Sequence, residues 1–205
     1  MMIAGATGGP VATHEAGIVR HAAVNSVSHV KCVVVGDAHV GKTVLVNSLS
    51  GRPQASAAYE MTTSPLVSHR ALTLAGGMQV SFVLIDFPGS TAFNFAGASA
   101  PTFDSIMGSG GVVAVCFDMR SRDSLVGAGK WLRRVQDART AGGGNAAELT
   151  VALLGLRAGD AAGREGAVGA ADAGAAAASM GARFFEVLDT PASTTAPFEW
   201  LAEQV

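Results

Sequence analysis

The chain is poor in charge, in cross-linking residues and in polar aromatics. Of its 205 residues 15% are charged, two are Cys, two are Trp and one is Tyr, and of 14 basic residues only three are Lys. Two cysteines, Cys32 and Cys116, cannot build a disulfide framework, so a reduced compartment is expected. The net charge of -2 leaves no basic surplus for nonspecific nucleic-acid binding, and no nucleic-acid partner is expected. No apolar run approaches the ~20 residues of a membrane-spanning helix. The longest, such as residues 112–117, suit buried strands. The first 25 residues lack the basic start and apolar block of a signal peptide. The sequence ends Glu203-Gln204-Val205 without a Cys, so no prenyl group, and no direct membrane anchor, is expected.

What is abundant is small: 38 Ala and 26 Gly. Enough Leu, Val, Ile and Phe remain for a core, and the low charge argues against a disordered chain. Residues 1–29 have no hydrophobic period and are expected to form a flexible N-terminal extension; residues 30–205 read as one domain. Within it, residues 31–35 read as a buried strand running into Gly36, and residues 44–49 as a short helix closed by Gly51 and Pro53. Residues 66–74 and 79–85 flank Gly76-Gly77 as a β-hairpin. Residues 112–117, 150–154 and 183–187 read as further strands, with helices at 122–139 and 167–180. A final helix is expected to be capped by Thr195, with Pro197 in its first turn. Strands alternating with helices imply a three-layer α/β domain with a mostly parallel six-stranded sheet.

The most informative stretch is Gly36-Asp-Ala-His-Val-Gly41-Lys42-Thr43, a Gly-x4-Gly-Lys-Thr loop between a strand and a helix. The glycines let successive N–H groups turn inward, and the helix adds the positive end of its dipole. The expected phosphate-contacting set is Gly36, Asp37, His39, Val40, Gly41, Lys42, Thr43 and Val44, joined by Thr62 and Gly89. Lys42 is suited to the β- and γ-phosphates, and the Thr43 hydroxyl to Mg²⁺. Asp86, at a strand's carboxyl end, starts Asp86-Phe-Pro-Gly89 and is a second candidate metal ligand. Thr62, in Tyr59-Glu-Met-Thr62-Thr63-Ser64, is the third, on a loop that a triphosphate would order.

These segments resemble the Ras-like small GTPases: residues 36–43 their phosphate loop, Tyr59-x-x-Thr62 their switch I and Asp86-x-x-Gly89 the start of their switch II. The stretch 112–118 with Arg122-Asp-Ser124-Leu125 is similar to the Rab-like branch. Within it, residues 59–64 and 86–90, with the weaker Phe184-Phe-Glu-Val187 and Ala196-Pro-Phe198, are similar to a Rab-like subunit of the intraflagellar transport B complex. The resemblance implies GTP/GDP and Mg²⁺ as ligands, a heterodimer with a small β-sandwich subunit of that complex, and a cytoplasmic and ciliary or flagellar location.

Two departures bear on activity. Ser90 stands where the family carries the Gln that orients the attacking water, so intrinsic hydrolysis is expected to be slow and no catalytic residue is assigned. Where the family reads guanine with Asn-Lys-x-Asp, this chain has Leu156-Arg157-Ala158-Gly159-Asp160. Arg157 and Asp160 are the base-binding candidates, Arg157 by stacking its planar group and Asp160 if the loop is one residue longer. Three functions stay open: a slow guanine-nucleotide switch, a pseudo-GTPase with a structural role, and a different phosphate-loop ATPase or kinase. Arg120 and Arg122 carry the kinase reading, although no lid-sized insertion accompanies them. Cys32, Cys116, Trp131 and Trp200 read as packing residues, Arg133-Arg134 as a solvated face, and His39 as pointing outward.

Overall fold

The computed structural model describes residues 28–52, 62–90, 105–106, 108–157, 166–188 and 190–205. Six strands form one sheet: β1 (Ser28–Val35), β2 (Leu66–Thr73), β3 (Gln79–Asp86), β4 (Val112–Asp118), β5 (Thr150–Leu156) and β6 (Arg183–Val187). Among the described residues the α-helices that accompany them are α1 (Lys42–Leu49), α2 (Arg122–Ala141), α3 (Ala170–Ser179) and α4 (Pro191–Glu203). The sheet order is β2-β3-β1-β4-β5-β6. Only β2 runs antiparallel, paired to β3 from Leu66↔Asp86 to Thr73↔Gln79. Gly76 and Gly77 turn that hairpin with φ of 88° and 83°, the left-handed region that glycine enters without a Cβ clash. The mostly parallel α/β architecture expected from the alternating pattern is present.

The central strands are apolar on both faces because helices cover both. On one face Cys32 and Val34 of β1 and Ala114 and Cys116 of β4 pack with Leu45 and Leu49 of α1 and Phe198 and Leu201 of α4. On the other, Val33 and Val35, with Val113 and Val115, pack against Leu125, Trp131, Leu132 and Val135 of α2 and Ala173 and Ala177 of α3. In α3 the Ala-rich composition supplies helix propensity, and its buried face is two alanines. Among the described residues no helix is long and apolar enough to cross a membrane.

The last helix corrects the expected cap. Thr190, not Thr195, caps α4: its side chain accepts from the Ser193 N–H, and Pro191 follows at the first helical position. Pro191 has no N–H to leave unsatisfied there and its φ is already helical, so the helix starts a turn earlier. Pro197 therefore lies inside the helix, buried against the core, at the expense of a bond to the Ser193 carbonyl.

Parallel pairing aligns the carboxyl ends of β1, β3, β4 and β5 on one edge. Val34 of β1 sits beside Asp86, and Val35 beside Val115 of β4. Beyond β1 the order divides, with β3 on one side and β4 on the other, and such a division is where doubly wound sheets bind ligands.

Candidate functional site

The loop that leaves β1 at this division is the Gly-x4-Gly-Lys-Thr segment. Gly36 has φ 146° and Gly41 φ 101°. A Cβ on Gly36 would overlap the carbonyl oxygen of Cys116 in β4, so the chain can pass so close to the sheet only as glycine. His39 also adopts a positive φ, 65°, in a non-glycine position, and is exposed as expected. Val40 is buried in the core and Val44 is exposed, so neither side chain enters the loop's interior; their backbone N–H groups are what they can offer a phosphate. Gly41 caps α1, whose first residue is Lys42, placing the helix N-terminus directly behind the loop.

Lys42 is 6% exposed. Its Nζ donates to the backbone carbonyl of Asp37 at 2.8 Å, across the inside of the loop. Burial lowers its pKa, while Cys116, Asp86 and Asp37 oppose that shift. A desolvated ammonium inside a loop at a helix N-terminus is a strong anion site.

Three oxygens converge next to it. Thr43 Oγ1 donates to Asp86 Oδ2 at 2.6 Å and lies 3.0 Å from Thr62 Oγ1. Asp86 is 1% exposed, and its second oxygen, Oδ1, is buried without a partner. Desolvation raises the Asp86 pKa, opposed by the Thr43 hydrogen bond and by Lys42. A buried carboxylate oxygen with nothing to bind is costly, and a hard cation removes that cost. Two hydroxyls and a carboxylate are the hard-oxygen donors that Mg²⁺ takes, so the residues fit that ion. The three metal candidates, Thr43, Thr62 and Asp86, are therefore brought together from α1, the segment before β2, and the end of β3.

Gly89 completes this side. A Cβ there would overlap the backbone joining Asp37 and Ala38, so the segment after β3 leans directly on the phosphate loop. Ser90 is half-buried beside it. Tyr59 lies outside the described residues.

The base side is built differently. Leu156 ends β5 and is buried in the same cluster as Val40. Its Cδ1 lies 3.4 Å from a Cβ built on Gly41, so its side chain brings a methyl group to the phosphate loop. Arg157 donates through its backbone N–H to the Val187 carbonyl, and its guanidinium to Glu186 Oε1 at 2.9 Å. Asp160 lies outside the described residues. The kinase-like arginines are both turned to carboxylates of their own chain: Arg120 to Asp118 at 2.8 Å and Arg122 to Asp172 at 3.3 Å. The Asp118 carboxylate holds the Arg120 guanidinium above its ordinary pKa.

One participant escaped the sequence reading. Trp131 of α2 donates its Nε1–H to Asp37 Oδ1 at 2.9 Å. The pair is 94 residues apart in sequence, and no local spacing announces it. Gly127, a glycine in the interior of a twenty-residue helix, was the available signal.

The Ras family matches residues 31–205 of this chain. No curated protein matches it.

Proposed function

The chain belongs to the Ras family, and on that premise we propose that it is a guanine-nucleotide switch with slow GTP hydrolysis. One observation carries this reading: Thr43, Thr62 and Asp86 converge beside a buried Lys42, leaving Asp86 Oδ1 unpartnered. That arrangement serves a nucleotide phosphate chain with its cation and has no evident use in the fold alone.

The residues divide the work. Backbone N–H groups of residues 36–44 bind phosphate oxygens, and Lys42 exchanges the Asp37 carbonyl for the β- and γ-phosphates. Thr43 and Asp86 hold the metal site on rigid elements, while Thr62 brings its loop to the same point. When bound, Mg²⁺ neutralises charge on the β- and γ-phosphate oxygens. Gly89, against the phosphate loop, presents its backbone N–H where loss of a γ-phosphate can be sensed. Ser90 has a short hydroxyl and cannot orient water as a longer amide does, which makes turnover slow.

The finer assignment is a Rab-like subunit of the intraflagellar transport B complex, working in the cytoplasm and cilium or flagellum beside a small β-sandwich subunit. It is supported by the similarity of residues 59–64 and 86–90 to such subunits. A second reading, a structural pseudo-GTPase, is favoured by Leu156, whose methyl contact with the loop replaces a polar one. Titrating Mg²⁺-loaded protein with fluorescent GTP, GDP and ATP separates the readings. Guanine-selective binding supports the switch, and no binding supports the structural role. Co-purification of a β-sandwich partner with the tagged chain from ciliated cells tests the complex, and its absence removes that assignment.

A further inference from the structure

Asp37 is a carboxylate placed in a loop built to bind polyphosphate, where a negative side chain should repel the ligand. Its main chain faces inward, the carbonyl accepting from Lys42 Nζ at 2.8 Å. Its side chain leaves toward α2, where Oδ1 accepts the indole N–H of Trp131 at 2.9 Å. Gly127 and Trp131 are four residues apart on α2 and so share a face. A Cβ on Gly127 would overlap the Asp37 carboxylate. The glycine thus opens the recess, and the tryptophan supplies the donor at its wall. Glycine in a helix interior weakens the helix relative to Ala, and seating the carboxylate gives that weakness a reason. Trp131 is itself fixed, 4% exposed, with the Arg134 guanidinium over its ring at 5.7 Å.

We propose that Trp131 is a positioning residue for nucleotide binding: with Gly127 it holds the Asp37 carboxylate on α2, away from the phosphates. Asp37 is also where Gly89 leans on the loop, so α2, the phosphate loop and the segment after β3 meet at this one residue. The inference rests on reading the loop as a nucleotide site.

The test is the release rate of fluorescent GDP from the full chain in Mg²⁺. Trp131→Phe keeps the ring and removes the donor, and is expected to release GDP about tenfold faster, the worth of one hydrogen bond to a charged group. Gly127→Ala strengthens the helix and forces the carboxylate to shift, and is expected to release GDP faster without a lower melting temperature. Adding Asp37→Asn to Trp131→Phe removes the charge and should return release to within about threefold of wild type. A role in packing alone would not be rescued in this way. Wild-type release from Trp131→Phe, or a double variant as fast as Trp131→Phe, overturns the inference while leaving the nucleotide site standing. A wild type that takes up no GDP removes the nucleotide reading, and this inference with it.

Discussion

The two halves of the nucleotide edge are made of different material. On the phosphate side, polar side chains from three separate elements meet: Lys42 and Thr43 of α1, Thr62, and Asp86 of β3. On the base side, Leu156 contributes methyl contact and Arg157 is tied to Glu186. The phosphate side keeps buried charge that the fold does not need, which is how binding sites differ from cores. Among the described residues, the start of the base side is ordinary packing and a surface ion pair.

The largest expected effect breaks the phosphate side. Lys42→Ala should weaken GDP and GTP binding by roughly a hundredfold or more, since a charge-assisted contact to each of two phosphates goes. Calorimetric titration checks affinity, and a melting curve checks that the fold persists. Unchanged affinity would refute the placement of the site.

Asp86→Asn should abolish the effect of Mg²⁺ on nucleotide release, about a tenfold effect in wild type. It should also raise the melting temperature of the nucleotide-free protein near neutral pH. The sign follows from burial. The Asp86 carboxyl is shifted upward in the folded state, so the fold favours its protonated form. Stability from this group is present below the unfolded carboxyl pKa and is lost as pH rises through the folded one. The amide avoids that loss. A lower melting temperature for the variant would contradict this view of the carboxylate.

Ser90→Gln should speed single-turnover GTP hydrolysis on the order of tenfold by positioning water. No gain would show that residue 90 does not limit hydrolysis. On the base side, Leu156→Asn should raise the preference for GDP over ADP by a few-fold, roughly one added polar contact. Competition between the two nucleotides measures it, and a fall in preference would show that Leu156 already serves guanine. The smallest effect is an absence. Cys32 and Cys116 are fully buried, and desolvation raises both thiols, that of Cys116 to about 12, so neither should react with a thiol reagent in the native state.

The same contrast separates what the sequence revealed from what it hid. The phosphate loop was legible because its chemistry is local: eight consecutive residues between a strand and a helix. The sheet was legible because apolar runs and Gly76-Gly77 punctuate it. The meeting of Thr43 with Asp86 followed from motif order, and parallel pairing brought it about. The α4 cap was misread because Thr190 and Thr195 both precede a proline by one or two residues, and it is Thr190 with Pro191 at the first helical position that starts the helix. The bond from Trp131 to Asp37 was hidden because it spans 94 residues and depends on α2 crossing beneath the loop. Gly127, one of two glycines inside that helix, hinted at it.

The central claim is that this Ras-family chain retains a working phosphate and metal site. Release of fluorescent GDP, followed in Mg²⁺ and again after chelation, tests it most directly. GDP is expected to bind, and to leave about tenfold faster once Mg²⁺ is removed from the Thr43, Thr62 and Asp86 oxygens. Binding with identical release rates in both conditions, or no binding, would contradict it.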